Sequence, residues 1–326
     1  MAVNNANFST LISTTLQNFS NKIMDNVVTN NTLARHLMQK GNVKVVSGGR
    51  NFVHQIFYAQ NSSFQARGKL DTISTPVTDP ITASEWNVKI LDGSIVLPTL
   101  DVAMNAGDRE KLLDYTNAKR MEAEVSMGEL LGDQVFNTAV GTNDFDSIPR
   151  IISEDPASDT DVGGISSSSG NATWWRNYSY DTVVTAFGTS QAGVNAIDQS
   201  VNGATKGTMG PKIIITTSAI FTLYMLTLTN NVRYMTSDLE GKGDAAFRHL
   251  MYANMPFYFD DNCPSGNLYG IDTDSLKLQV LGQGNMKQTP FQFKTDQLAE
   301  SALMYLFANL TCGSRRTNFV IDSITG

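Results

Sequence analysis

The sequence is short of charge. Asp, Glu, Lys and Arg make up 17% of its 326 residues, against about 25% in an ordinary soluble domain, and Asn, Ser, Thr and Gln supply much of the polar surface instead. A surface of amides and hydroxyls suits a protein that covers much of its exterior with copies of itself. Net charge is −7 and no lysine- or arginine-rich run occurs, so the counterion release that drives nucleic-acid affinity has no footprint. Direct DNA binding is disfavoured.

Histidine, cysteine and glycine motifs are equally sparse. His36, His54 and His249 lie in unrelated stretches without HxxxH or HExxH spacing, and read as surface or core side chains rather than ligands or bases. There is no GxSxG elbow and no GxGxxG, and Gly207 and Gly210 precede no GK[ST] signature that would cradle a phosphate. Cys263 and Cys312 lack metal-ligand spacing and fit two ordinary thiols in a reducing compartment, with a disulfide left open. The acidic pairs Asp260-Asp261 and Asp272/Asp274 are the remaining cation candidates, and turns of that kind usually only shape loops. The chain is therefore expected to be no enzyme: no catalytic residue, no cofactor and no metal site is identified.

Long apolar runs are missing too. MAVNNANFST has neither the basic n-region nor the apolar h-region of a signal peptide, so Asn-x-Ser/Thr triplets such as Asn61 to Ser63 carry no glycosylation meaning. Residues 213–232 hold no charge, yet six of them are Ser or Thr. They read as a buried strand, Ile213–Thr216, and a helix capped by Ser218 with Phe221, Tyr224, Met225 and Leu228 on one face, rather than as a membrane span.

What is present is a long helix. Residues 105–140 contain no proline, Asp108 is a plausible N-cap, and Lys111/Asp114, Lys119/Glu122 and Arg120/Glu124 are opposite-charge pairs at helical spacing. Some 30 helical residues would span about 45 Å, close to the width of a globule of this length. Ala118, Met121, Val125 and Gly128 share one face, and Met127, Leu131 and Val135 open another. The alternative is two shorter helices broken at Gly128 or Gly132.

Around this beam, residues 5–30 and 31–40 read as helices, the second closed by Gly41, and Val43–Val46 and Asn51–Tyr58 as strands. The following stretch, AQNSSFQARGKLDTISTPVTDPITASEW, holds few large apolar residues and is long for a loop. With a return strand over Trp86–Leu91, residues 50–97 read as a hairpin that is stable only when laid on something else, the alternative being a disordered surface loop. Phe145–Ile152 is expected as a strand, Ser153–Asp161 as an acidic loop, the tryptophan pair in 163–181 as an anchor, and Asp181–Asn202 as a helix. Lys206–Lys212 is a candidate boundary. Beyond it come an α+β unit with strands Pro256–Phe259, Leu268–Ile271 and Leu276–Leu281 and a loop at 238–245. A β return follows, in which Leu303, Tyr305 and Phe307 alternate and Phe319–Ile324 closes the chain.

Several short stretches carry a family likeness in their order: Gly48-Gly49; Ala83-Ser84-Glu85-Trp86; Met104-Asn105-Ala106-Gly107; Gly163-Gly164-Ile165 with Trp174-Trp175-Arg176-Asn177; Tyr269-Gly270-Ile271-Asp272; and Leu310-Thr311-Cys312 with Arg315-Arg316. The arrangement resembles the major capsid protein of tailed bacteriophages, the Hong Kong 97-type fold. The resemblance implies an α+β fold with an N-terminal arm over 1–49, an extended hairpin or E-loop over 50–97, and a peripheral domain over 98–210 with its spine helix at 108–139. It further implies an axial domain over 211–284 and a return to the peripheral domain over 285–326.

By the same resemblance the protein is a structural virion component. It would self-assemble as hexamers and pentamers into an icosahedral shell around phage double-stranded DNA, without sequence-specific binding or a membrane, in the bacterial host cytoplasm. A portal and a decoration protein would be partners. No charged helical pro-segment precedes Met1, which points to a separate scaffolding protein or none. Phe64, Arg67, Lys69, Leu70 and Asp71 are the expected inter-subunit contacts, and Trp174, Trp175 and Arg176 the expected fold anchors. Some relatives cross-link lysine to asparagine; Lys69 sits near the tip, but no matching carboxylate or acceptor is identifiable and cross-linking is not expected. An encapsulin-like compartment of the same fold is the alternative.

Overall fold

The computed structural model describes residues 31–325 apart from 39–42, 62, 73–78, 106–108, 169, 171, 186, 189–190 and 228–249. The helix expected over 5–30, the stop at Gly41, Leu228, the loop at 238–245 and His249 lie outside the described residues. In chain order the helices are α1 (Thr32–Met38), α2 (Thr99–Asn105), α3 (Arg109–Val135), α4 (Ile148–Ile151), α5 (Ala192–Ala204) and α6 (Ser218–Thr227). The strands are β1 (Val43–Val46), β2 (Asn51–Phe57), β3 (Ile81–Asn87), β4 (Lys89–Pro98), β5 (Tyr178–Tyr180), β6 (Ile213–Thr216), β7 (Leu250–Tyr252), β8 (Met255–Phe259), β9 (Leu268–Ile271), β10 (Leu276–Leu281), β11 (Lys287–Gln288), β12 (Gln292–Phe293), β13 (Ala299–Cys312) and β14 (Phe319–Ile321).

β13 gathers the first sheet. It pairs antiparallel with β4 from Ala299↔Pro98 to Ala308↔Lys89, and along its other edge with β12, β11 and β10, while β1 adds in parallel outside β10. Strand alternation sends Ala302, Met304, Leu306, Ala308 and Leu310 into the core. Leu303, Tyr305 and Phe307 do alternate as expected, but on the opposite, partly exposed face. α3 lies over the core side and contributes Met127, Leu131 and Val135; Ala118, Met121, Val125 and Gly128 stay half-buried or exposed.

The second sheet runs β5-β14-β9-β6-β8-β7. Its central strands β14, β9 and β6 are buried at every position because both faces are covered. Ile213, Ile215, Tyr269, Ile271 and Val320 join the first core, whereas Ile214, Leu268, Phe319 and Ile321 join a second one with Ala196 and Ile197 of α5 and Phe221 and Tyr224 of α6.

Several elements depart from the sequence reading. α3 is not broken at either glycine: Gly132 is where the Asn31 carboxamide approaches, and a Cβ there would fall 2.4 Å from its nitrogen. The helix ends at Val135 rather than 139, since the Asn137 side chain accepts from the Ala139 N–H and turns the chain. The return strand divides after Asn87, which flips the side-chain phase: Trp86 is buried but Ile90 is 58% exposed. Residues 89–98 thereby belong to the body sheet, and α2 follows them directly. Phe145–Ile152 is no strand: Pro149 has no N–H for a ladder but fits a first helical turn, and Ser147 caps α4. The helix expected over Asp181–Asn202 starts only at Ala192, because Val184 is drawn into a parallel bridge with Ile324. Among the described residues, no helix is long and apolar enough to cross a membrane.

Candidate functional site

The hairpin β2–β3 holds seven paired positions, from Asn51↔Asn87 to Phe57↔Ile81. Alternation gives it an inner face of Phe52, Ile56 and Trp86, all buried, and an outer face on which Val53 and Phe57 stand exposed. Several contacts fasten the hairpin to the body. The Trp86 indole N–H donates to Ser84 Oγ, and that hydroxyl donates to the Cys312 carbonyl 3.4 Å away. The Glu85 N–H donates to the Gly163 carbonyl at 2.9 Å. Further out, the Tyr58 ring packs on Trp174 with centroids 5.4 Å apart.

At the tip, charged side chains are spent on the loop itself. The Arg67 guanidinium donates to the carbonyls of Thr72 (2.6 Å) and Ser63 (3.0 Å), and the Asp71 carboxylate accepts from the Gly68 N–H. Phe64 and Leu70 are left 85% and 94% exposed, and Lys69 is exposed beside them. Burying one such apolar side chain is worth about 1.5–3 kcal/mol. This end of the hairpin therefore presents apolar surface outward while Arg67 and Asp71 are occupied within the loop.

The tryptophan segment divides by residue. Trp175 is buried and its indole N–H donates to the Val162 carbonyl at 2.9 Å; Trp174 is half-buried, in tilted contact with Tyr58 on one side and Trp175 on the other. Arg176 directs Nε and Nη2 to the single carbonyl of Ser167. Sequence reasoning gave Arg315 no individual role, yet it is fully buried and joins three segments. It donates to the Ile151 carbonyl, the Asp159 carboxylate and the Asn177 amide oxygen, while its Nη1 has no partner. No spacing rule marks it, since the contacts span up to 164 residues.

The groups with chemical potential are otherwise accounted for. Asp260 caps α1 by accepting from the Leu33 N–H and shapes its own turn through the Asn262 N–H. Asp272 accepts from the Asp274 N–H, and Asp274 pairs with Lys212. Among the described residues, no group of three or more His, Cys, Asp or Glu side chains is placed to hold a metal ion. Cys263 and Cys312 are both buried and unbonded to each other, and burial pushes both thiols up, Cys312 to about 12. A groove of about 350 Å³ runs between α3 and β4, with Ile95, Met127 and Leu130 in its wall and Asp92, Lys119 and Glu122 among its polar residues.

No protein-family model and no curated protein matches this sequence. Solved structures do match, along nearly the whole chain. The capsid asymmetric unit of cyanophage A-1(L) superposes with a TM-score of 0.65 at 13% identity, covering 94% of this chain and 96% of that one. The capsid of the native GTA particle gives 0.61 at 10% identity, with 95% and 96% covered. The holo-SrpI encapsulin complex from Synechococcus elongatus gives 0.57 at 11% identity, with 93% and 90% covered. The chain has the mixed helix-and-sheet fold of these shell-forming proteins.

Proposed function

We propose that this protein is the major head protein of a tailed phage, self-assembling as hexamers and pentamers into an icosahedral shell that encloses double-stranded DNA. The observation that carries the reading is the hairpin tip. Phe64 and Leu70 are almost fully exposed on an arm whose inner face is already seated, so among the described residues nothing of the subunit covers them and a neighbouring molecule would. A second copy of the chain supplies a surface of fixed geometry, and head-to-tail contacts of this kind close into rings. The whole-chain likeness to phage shell subunits supports the same conclusion.

On this reading the β2–β3 hairpin and its tip, within residues 50–97, act as the E-loop, α3 as the spine helix of the peripheral domain (98–210, completed by β4 and by 285–326), and 211–284 as the axial domain meeting its symmetry mates. Residues 1–49 form the N-terminal arm. The partners on this reading are copies of itself and a portal, with a separate scaffolding protein or none. Assembly takes place in the host cytoplasm, and the protein acts structurally, not as an enzyme. An acidic chain lining the lumen would hold DNA weakly, which favours packing and release.

The encapsulin likeness keeps a protein-filled compartment as the second reading. Electron microscopy of the chain expressed alone and with its neighbouring genes, with nucleic acid assayed in any particle, separates the two. Shells that fill with DNA only beside phage genes support the head protein; small shells that load a protein support the compartment; a monomer with no assembly contradicts both.

A further inference from the structure

The seated face of the hairpin is apolar except at its centre. Between Phe52 and Ile56 stands His54, directly across from Ser84 in the β2–β3 register. Its ring reaches out of the hairpin and into the body sheet. Nε2 lies 3.1 Å from Thr311 Oγ1 on β13 and 2.7 Å from the amide nitrogen of Gln279 on β10, and Nδ1 lies 3.6 Å from where a Cβ on Gly313 would be. As placed, the NH₂ of the Gln279 side chain donates to Nε2, which assigns the ring's proton to Nδ1 and leaves it neutral, while the Thr311 hydroxyl donates to the Lys277 carbonyl.

The charges around this ring have one sign. Lys44 on β1 and Lys277 on β10 face it. The one carboxylate on the hairpin strands, Glu85, is on the outer face with Asn51. At the turn leading into β10, Asp274 is ion-paired with Lys212, with Lys277 also acting on it, and Asp272 is buried and bonded to its own turn.

We propose that His54 is an acid-sensitive joint between the hairpin and the body: neutral, it ties the arm to the sheet, and protonated, it loosens the arm's base. A proton on Nε2 would point an N–H at the Gln279 NH₂ and place a third positive charge beside two lysines. Burial, followed by Lys44 and Lys277, accordingly holds the imidazole below its ordinary 6.5. Because the seated hairpin favours the neutral ring, its grip is full above pH 6.5 and is lost as pH falls from there through the lowered value. The joint is a property of the subunit and holds whichever partner the far end of the arm meets.

Hydrogen exchange of the full chain, compared at pH 7.5 and 5.5 after correction for intrinsic rates, tests it. Peptides over 51–57 and 81–87 should lose protection several-fold at the lower pH relative to peptides over β9 and β14. His54→Gln should abolish that difference, and His36→Gln should keep it. An acid response that survives in His54→Gln, or no response in the unaltered chain, overturns the proposal. Should His54→Gln fail to fold, NMR titration of histidine-labelled unaltered protein decides: a ring titrating below 6.5 with hairpin amides following it supports the joint, and one titrating at or above 6.5 overturns it.

Discussion

The Trp86 indole lies so close to Gly163 that a Cβ on the glycine would stand 2.8 Å from the ring. Gly163 also has φ of +64°, a conformation other residues enter at a cost, and its carbonyl receives the Glu85 N–H. Sterics, backbone conformation and one hydrogen bond thus coincide where the hairpin joins the body. Gly163→Ala is expected to destabilise the subunit by about 2–4 kcal/mol, from strain and overpacking together. Urea denaturation of the two proteins checks this, and equal midpoints would mean that the ring moves aside freely.

Arg315 offers a second test. Its guanidinium is sealed among the Ile151 carbonyl, Asp159 and Asn177. Arg315→Ala strands the Asp159 carboxylate and empties a large volume, with an expected loss of about 3–5 kcal/mol. Adding Asp159→Asn should recover part of that loss, because the orphaned charge is then gone. A double-mutant cycle by chemical denaturation reads the coupling, and strict additivity would contradict the pairing.

The tryptophan pair should separate in energy. Trp175→Ala removes a buried ring and a hydrogen bond and should cost about 3–5 kcal/mol. Trp174→Ala should cost less, since Trp174 is half-buried and its principal contact is Tyr58 at the hairpin. Thermal melts compare the totals, and hydrogen exchange near Tyr58 should report the Trp174 change more strongly than that of Trp175.

Asp260 titrates in the opposite sense to His54. Burial pushes its carboxyl up to about 6, against hydrogen bonds from Leu33 and Asn262 that pull it down, with Asp261 adding to the rise. The folded state therefore holds this proton more tightly than the unfolded chain. The associated stability is full below pH 3.8 and is lost as pH rises through about 6. Relative to Asp260→Asn, the unaltered protein should weaken by about 2 kcal/mol between pH 4 and pH 8. Parallel stability curves for the two proteins would show that Asp260 does not titrate in this range.

Periodicity made much of the fold legible. Val43–Val46, Ile213–Thr216, Leu268–Ile271 and Leu276–Leu281 are observed at the boundaries the sequence suggests: Ile213–Thr216 and Leu268–Ile271 because both faces are covered, Val43–Val46 and Leu276–Leu281 because their β-branched and aliphatic residues stand between turn residues. α3 was legible from its charge pairs: Lys119–Glu122 and Arg120–Glu124 both form, while the side chains of Lys111 and Asp114 lie outside the described residues. What the sequence hid depends on contacts far along the chain. Val184 leaves its helical pattern for Ile324, β4 leaves the hairpin for β13, and Gly132 keeps its place in a helix to admit Asn31. At the hairpin tip the residue types pointed to an outward surface. The loop bonds that occupy Arg67 and Asp71 were not readable, because each depends on a backbone carbonyl or N–H only the folded loop positions.

The central claim is that Phe64 and Leu70 are buried by a neighbouring copy, and a cryo-electron microscopy map of the assembled particle tests it most directly. The account predicts density for residues 63–72 lying against the body of the adjacent subunit with both side chains covered. A hairpin tip folded back on its own subunit, or standing free in solvent within an intact shell, would contradict it.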